Sequence, residues 1–290
     1  MHLYNECVII DVVSVMKFEN IDKELQQYRK IRDLSTIGIF LSIIIFFVST
    51  ILGFLTLGTC LVLVFVFSGK CKTVGKNVFN NYIVPKLEEA FDDFKYNEYS
   101  DISDDIIYES EVIDIGNRIR TSVVSQGYYR DVSFVQTGVI SEHVSRDSDG
   151  DSSTTTLFKG RLIILGVSLF DNDGVVKIIS HKSQYSIRHR GLDKTTLNKE
   201  IENYYNIYVS GSGLSIPEKF LDHIMEMTKS FPQYIFNFKV EKDRLYVSID
   251  NIVPEVYSLE SVEKVTQENI DLLIKKDSYF ITNTISNILD

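Results

Sequence analysis

An uncharged, apolar run at residues 35–69 constrains this chain more than any other feature. As one straight helix, at 1.5 Å per residue, the run would be roughly 52 Å long. The hydrocarbon core of a bilayer is about 30 Å thick, and one span needs about 20 residues. Two short spans at residues 36–52 and 54–68, with Gly53 near the turn, fit that thickness better than one long tilted helix. So long an uncharged run also disfavours a hairpin buried in a protein core, and the sequence predicts a transmembrane hairpin over residues 35–69.

Basic residues flank the apolar run on both sides. They are Arg29, Lys30 and Arg32 before it, and Lys70, Lys72 and Lys76 after it. Positive residues mark the cytoplasmic side of a membrane helix. The two clusters therefore predict a multi-pass protein of the cell (inner) membrane, with the lipid bilayer as a partner and both termini in the cytoplasm.

Residues 1–34 are predicted to form an N-terminal segment and an amphipathic helix. Ile21, Leu25 and Tyr28 recur at helical spacing, and the helix is expected to run straight into the first span. The stretch that starts at Met16 is already a complete helix without the apolar opening before it. This favours Met16 as the natural start of the protein, and a strand or an interfacial segment over residues 1–15 is the alternative.

Charge and cysteine content narrow the class of protein. The net charge is −10, and residues beyond position 76 hold 22 basic and 34 acidic side chains. An acidic domain repels phosphate backbones, so no nucleic-acid partner is predicted. The three cysteines, Cys7, Cys60 and Cys71, leave the acidic region without any, which is typical of a reducing compartment.

Three regions are predicted beyond the hairpin. Residues 70–95 form connecting helices, with Pro85 at the first turn of the second helix. Residues 96–257 form a soluble α+β domain, and residues 258–290 form a C-terminal helical segment. The candidate core positions of that last segment are Val262, Val265, Leu272 and Leu273.

Within the soluble domain, turn residues separate β-rich stretches between positions 118 and 189. This pattern predicts about five antiparallel strands in a meander. Helices are predicted at residues 194–205 and 215–231, and a hairpin at residues 232–250 that turns at 241–243. The predicted fold class is α+β: a short N-terminal transmembrane helical hairpin, followed by a cytosolic domain with an antiparallel β-sheet and packed helices.

An acidic loop, "DSDGDSS", offers Asp147, Asp149 and Asp151 as candidate metal ligands. A calcium-binding EF-hand loop needs Gly at its sixth position and Glu at its twelfth. This chain has Ser152 and Phe158 there, so the pattern favours a solvated hairpin loop. No cofactor is predicted, and no catalytic nucleophile with its base emerges from the sequence.

Four stretches resemble segments of the domain of unknown function 3137 family: "LFKGRLIILGVSLFDNDGVVKI" (157–178), "LNKEIENYYNIYV" (197–209), "LSIPEKFLDHI" (214–224) and "FNFKVEKDRLYVSI" (236–249). The matched motifs are structural rather than catalytic. Their key positions are Phe158, Lys159, Gly160 and Pro217, and the resemblance extends to Pro85 in "VPKLEEAF" (84–91) and to Glu142 in "VISEHV" (139–144). The resemblance implies a bacterial membrane-anchored protein with a cytosolic domain, and it implies no established activity.

Three hypotheses for function remain open at this point. The first is a non-enzymatic protein whose cytosolic domain binds an unidentified protein partner or regulates a membrane process. Homo-oligomers are compatible with it, because Gly38, Gly53 and Gly58 allow close approach of helices.

The other two hypotheses depend on groups of side chains that the fold must bring together. A membrane-tethered hydrolytic enzyme would use carboxylates and a histidine near one strand end, namely Glu142, His143, Asp147 and Asp149. A lipid-headgroup-binding domain would need a basic concavity. Its candidate residues are Lys159, Arg161, Lys182, Arg188 and Arg190.

Overall fold

The computed structural model describes residues 2–97, 102–146, 151–169, 174–183, 191–196, 200–210, 216–259 and 262–290, with side chains from Lys17 onward. The chain divides into two compact units. The hairpin unit comprises Met1–Leu87 and Tyr257–Lys276, and the sheet unit comprises Glu88–Val256 and Asp277–Asp290.

Two long helices, α1 at His2–Val48 and α2 at Thr50–Val78, dominate the hairpin unit. Ser49 lies between them with an extended backbone. Its N–H donates to the carbonyl of Ile45 at 2.8 Å, and the N–H of Gly53 donates to the carbonyl of Ser49 at 2.9 Å. Backbone groups at the reversal are thus paired without a loop. The predicted turn near Gly53 is wrong, because the chain reverses at Ser49.

Aromatic pairs join α1 to α2, and to the turn that follows α2, at increasing distances from Ser49, so the two helices run antiparallel. The ring centroids are 5.1 Å apart for Phe46–Phe54, 5.7 Å for Tyr28–Phe67 and 4.5 Å for Phe18–Tyr82. Gly53 lies at a close approach of the two helices, because a Cβ there would be 2.6 Å from the Cα of Phe46. A Cβ at Gly38 would be 2.6 Å from the Sγ of Cys60. Both glycines therefore serve contacts within the chain.

The helix that follows the apolar run continues through a π-turn at Phe79–Ile83 into α3 at Val84–Ala90. The N–H of Val84 donates to the carbonyl of Phe79, five residues back. This wider turn directly precedes Pro85, which lacks an N–H of its own. The helices predicted over residues 70–95 are confirmed up to Ala90. The prediction is wrong for its last residues, because strand β1 begins at Asp92.

The C-terminal helix α6 spans Gln267–Leu289. The prediction that helix begins at position 258 is wrong. Thr266 precedes the helix, and its Oγ1 accepts a hydrogen bond from the N–H of Asn269 at 3.1 Å, which caps the first turn. Val262, Val265 and Leu273 are buried as predicted, whereas Leu272 is 62% exposed.

The sheet unit contains one antiparallel sheet, in the order β1-β2-β3-β4-β9-β8-β5-β7-β6 among the described residues. Its strands are Asp92–Asn97, Arg118–Tyr129, Val132–Arg146, Ser152–Leu165, Val175–Ser180, Asp193–Thr195, Tyr205–Ser210, Ile235–Glu241 and Arg244–Asp250, as β1 to β9. The antiparallel sheet is confirmed, but the simple meander is wrong, because the β8–β9 hairpin lies between β4 and β5.

Two local predictions in this unit have opposite outcomes. The helix predicted at residues 194–205 is wrong: β6 and a single 3₁₀ turn, Ile201–Asn203, occupy its described residues. The helix predicted at residues 215–231 is confirmed as α5, Glu218–Ser230, with Pro217 at its N-cap position. The hairpin turning at 241–243 is also confirmed.

Side chains alternate between two covered faces along β8. Phe236 and Phe238 face α5 and α6, where Phe238 packs against Phe220 at 6.0 Å and Phe236 against Phe280 at 5.8 Å between ring centroids. The opposite face is covered by residues 102–115, which include α4 at Asp104–Ser110.

Asn237 and Ser248, on neighbouring strands, bind the segment that covers this second face of the sheet. Asn237 Nδ2 donates to the carbonyl of Val112 at 3.1 Å, and Ser248 Oγ donates to the same carbonyl at 2.7 Å. The polar rows of β8 and β9 therefore fasten the segment after α4 to the sheet.

Candidate functional site

The first candidate site is the apolar part of the α1–α2 hairpin. Large apolar side chains are exposed on both helices. They are Leu34, Ile37, Phe40, Leu41, Ile43, Ile44, Phe46, Phe47, Val48, Ile51, Leu52, Phe54, Leu55, Leu61, Val62, Phe65 and Val66. By length and composition, both helices are apolar enough to cross a membrane. Monomeric soluble proteins rarely expose contiguous apolar patches of this extent, and such patches mark interaction sites.

The two basic clusters that flank the run lie at the same end of the hairpin, because the helices are antiparallel. Lys70, on α2, places its Nζ 5.1 Å from the ring centroid of Tyr28 on α1 and 5.3 Å from that of Phe67. Among the described residues, Lys30 and Lys72 form no ion pair. Both ammonium groups thus remain available to solvent or to anionic headgroups.

Arg29 has a second role that its sequence position does not reveal. Its guanidinium donates to the carbonyls of Val262 and Leu259, each at 3.0 Å, and to that of Glu263 at 3.3 Å. Asp22, two turns earlier on α1, accepts the N–H of Val265 at 2.7 Å. The polar base of the hairpin is therefore fixed to the segment before α6.

The second candidate site is a pair of buried lysines on the sheet face that α4 covers. Lys177 of β5 and Lys239 of β8 are direct cross-strand partners. Their side chains are only 2% and 7% exposed. Like charges directly opposite one another are destabilising, and buried charges need partners.

Glu111 supplies the main counter-charge for both lysines. Its Oε2 lies 2.6 Å from Lys177 Nζ and 3.3 Å from Lys239 Nζ. Lys239 also pairs with Glu241 Oε2 at 2.7 Å and donates to the carbonyl of Glu109 at 2.8 Å. Burial raises the pKa of Glu111, but the two lysines outweigh it and lower the pKa overall. Burial is also the main cause that lowers the pKa of Lys177.

An open recess of about 600 Å³ lies beside this pair at the β8–β9 turn. Its lining is almost entirely charged. The lining residues are Glu109, Glu111, Lys239, Glu241, Lys242, Asp243, Arg244 and Tyr246. Local sequence patterns do not indicate this recess, because Lys177 and Lys239 are far apart along the chain and each is typical of a surface residue of a strand.

The residues predicted for a hydrolytic site do not converge among the described residues. Glu142 is buried and pairs with Arg120 at 2.7 Å and with Arg118 at 3.6 Å. The next residue of β3, His143, is exposed. Asp147 and Asp149 lie outside the described residues. Glu142 therefore belongs to an ion-pair group with these two arginines.

For the metal prediction, Asp151 is exposed just before β4, and Asp147 and Asp149 are not described. No group of His, Cys, Asp and Glu within the described residues is arranged to hold a metal ion. His223 of α5 is buried, with its Nε2 3.2 Å from Thr284 Oγ1.

Among the residues predicted for a basic concavity that binds lipid headgroups, at least one is not available to a ligand. Arg161 is buried and pairs with Asp277 at 2.8 Å. Lys182 donates to the carbonyl of Pro232 at 3.0 Å, and Arg188 and Arg190 lie outside the described residues.

The "FKG" motif has a structural explanation. Phe158 is in the core, and a Cβ at Gly160 would be 1.9 Å from the carbonyl oxygen of Ile249. The N–H of Lys159 donates to Asp250 Oδ1 at 3.0 Å. The motif thus allows β4 and β9 to approach closely.

Comparison with known proteins identifies no family. No protein-family model matches the chain, and no curated protein matches it. Among solved structures, it is similar to the crystal structure of the mycobacterial trehalose monomycolate transport factor A, TtfA. The identity is 11% over 67% of this chain and 88% of that chain, with a TM-score of 0.29, and we base no argument on it. The resemblance to the domain of unknown function 3137 family stays a prediction.

Proposed function

We propose that this protein is anchored in a lipid bilayer by the α1–α2 hairpin and carries the sheet unit as a non-enzymatic, partner-binding domain in the cytoplasm. The observation that carries the proposal is the exposed apolar surface of the hairpin, which covers both helices around the reversal at Ser49. Placing that surface in hydrocarbon removes it from water, which is favourable in proportion to its area.

The proposed orientation follows from the antiparallel helices. Both polar ends of the hairpin leave the apolar zone on the same side, together with the basic residues around Tyr28 and Lys70. Because basic residues accumulate on the cytoplasmic side, this arrangement favours the cytoplasm for both chain termini.

For the hairpin to cross the bilayer twice, the short apolar part of α1 must be matched to the thickness of the hydrocarbon. Because the chain reverses at Ser49, the uncharged part of α1 spans only residues 35–48. That is about 21 Å of helix, against about 30 Å of hydrocarbon. Arg32, paired with Asp33 at 2.9 Å, would have to snorkel while the bilayer thins locally.

A hydrolytic role draws no support from the described residues, because Glu142 is engaged by arginines. The recess at the β8–β9 turn instead supports recognition of another molecule by charged side chains.

Cysteine accessibility in intact cells tests the orientation. Cys7, Cys60 and Cys71 are replaced by Ser, and single cysteines are placed at Asn20 or Asp243. A membrane-impermeant thiol reagent should label neither until the cells are lysed. Labelling of the Asp243 position in intact cells would contradict a cytoplasmic sheet unit. Release of the protein from membranes by alkaline carbonate would contradict the anchor itself.

A third cysteine, at Phe47 beside the reversal, measures depth. Labelling in intact cells means that both arms cross completely. Protection in both intact and lysed cells means that the tip stays within the hydrocarbon. Both results are compatible with the anchor, and they decide between a transmembrane and a re-entrant hairpin.

A further inference from the structure

The buried lysine pair is unusual for the place it occupies. A few residues away on the same face, the sheet packs apolar side chains such as Leu162 and Phe158 against Ile107 and Val112. Lys177 and Lys239 instead bring two ammonium groups together beneath α4. Ion pairs of this kind stabilise a fold less than apolar residues of similar size would. Perturbed, buried charges beside a cleft are a feature of functional sites.

Glu111 separates one of these lysines from the recess. The Glu111 carboxylate lines the recess and contacts Lys177, whereas Lys177 itself is almost fully buried and does not line it. If the Glu111 side chain turned outward, the ammonium group of Lys177 would open onto the recess beside that of Lys239.

We propose that the recess is an oxyanion-binding site, suited to a carboxylate or phosphate group, and that Glu111 is its internal occupant, which the ligand displaces from Lys177 and Lys239. One Glu111 oxygen already bridges the two ammonium groups and marks the position that a ligand oxygen takes. The proposal does not depend on the membrane anchor.

The exposure of Glu111 makes its side chain displaceable. Its side chain is 37% exposed, so water reaches the carboxylate as soon as it turns outward. Glu241, which is the other carboxylate on Lys239, is the last residue of β8, and its ion pair with Lys239 leaves Lys177 to Glu111.

The rest of the recess sets the ligand's character. Lys242 and Arg244 add positive charge, and the ring of Tyr246 lies 5.6 Å from Lys239 Nζ. Glu109 and Asp243 offset these charges, so a small anion fits the recess better than a highly charged polymer.

The test uses the full chain in detergent micelles with inorganic phosphate as the probe, and acetate in a parallel series. Thermal unfolding midpoints are measured against probe concentration, with sodium chloride holding the ionic strength constant. Wild type should show a saturable rise. Glu111→Gln should unfold at a lower temperature without phosphate, and its half-saturating phosphate concentration should be about tenfold lower than that of wild type. A response to one probe alone identifies phosphate or carboxylate as the preferred group.

Two variants serve as controls. Glu109→Gln removes a carboxylate from the same recess but from neither lysine, so its response should match wild type. Lys239→Met should abolish the response. Glu111→Asp keeps the charge with a shorter side chain and replaces Glu111→Gln if that variant does not fold.

Three outcomes would overturn the proposal. One is equal phosphate responses in wild type, Glu111→Gln and Lys239→Met, which would indicate a non-specific salt effect. The second is no response in any variant. The third is a response in Glu111→Gln with none in wild type, which would show that the ligand cannot displace Glu111.

Discussion

Replacing Arg161 by Met should strongly destabilise the sheet unit, because Arg161 is the centre of a buried polar group. Its Nη1 donates to Asp277 Oδ1 at 2.8 Å and its Nε to the carbonyl of Val253 at 2.8 Å. Nη2 donates to the carbonyl of Glu255 at 3.2 Å. The Arg161 and Asp277 side chains are only 3% and 2% exposed.

The expected cost follows from what the substitution leaves behind. Removing one partner of a buried pair costs about 3–5 kcal/mol, because the remaining charge is poorly compensated. Arg161→Met/Asp277→Leu removes both charges and should recover a large part of that loss. The two carbonyls stay without their donors, at about 1–3 kcal/mol each. The double variant should therefore lie between Arg161→Met and wild type.

Urea unfolding of the full chain in micelles, followed by far-ultraviolet circular dichroism, measures these differences. Arg118→Met is the matched control, because Arg118 is half-exposed and lies 3.6 Å from its carboxylate partner Glu142. Its cost should stay below about 1 kcal/mol. A loss below about 1 kcal/mol for Arg161→Met, or a double variant no more stable than Arg161→Met, would refute this reasoning.

Three further predictions concern other positions. Gly53→Ala should lower the thermal midpoint of the full chain in micelles, because the new Cβ would meet the Phe46 backbone. Gly58→Ala should leave the midpoint unchanged, because a Cβ there meets nothing within 4 Å. Equal effects of the two substitutions would contradict the close approach of the helices. Gly160→Ala should cost about 1–3 kcal/mol in urea unfolding by forcing β4 from β9, and an unchanged midpoint would be evidence against that contact. Burial lowers the pKa of His223 from 6.5 to about 4, so the unfolded chain binds the proton first. Stability should therefore be full above pH 6.5 and fall as the pH drops from 6.5 towards 4, by up to about 1.4 kcal/mol per pH unit. His223→Gln should flatten this slope and His143→Gln should not.

Local sequence patterns predicted the elements whose signals are local. The apolar run predicted two long helices, and Pro217 predicted the start of α5. The turn at 241–243 predicted the β8–β9 hairpin, because strand alternation and turn residues act over a few positions. The helix predicted at residues 194–205 failed at its two ends, where residues 194–195 pair with β7 and Tyr205 itself begins β7, and this pairing outweighs weak helix propensity.

Long-range partners decided what local patterns could not. The predicted meander failed because β4 pairs with β9, about ninety positions later, and no local signal specifies that partner. In the sequence, Arg161 is indistinguishable from an exposed basic residue of a strand, and only the fold shows that it pairs with Asp277. Arg29 likewise reads only as a flanking charge until its carbonyl partners are seen.

The sequence by itself determined that this protein has a long apolar helical hairpin and an acidic α+β domain. Composition and periodicity suffice for this, because they indicate directly which residues avoid water. Only the tertiary structure decided where the hairpin reverses and which charges are buried. The lysine pair shows the reason. Lys177 and Lys239 become one site only when β5 and β8 are neighbours and Glu111 lies above them, and that arrangement depends on strand pairing between residues more than sixty positions apart.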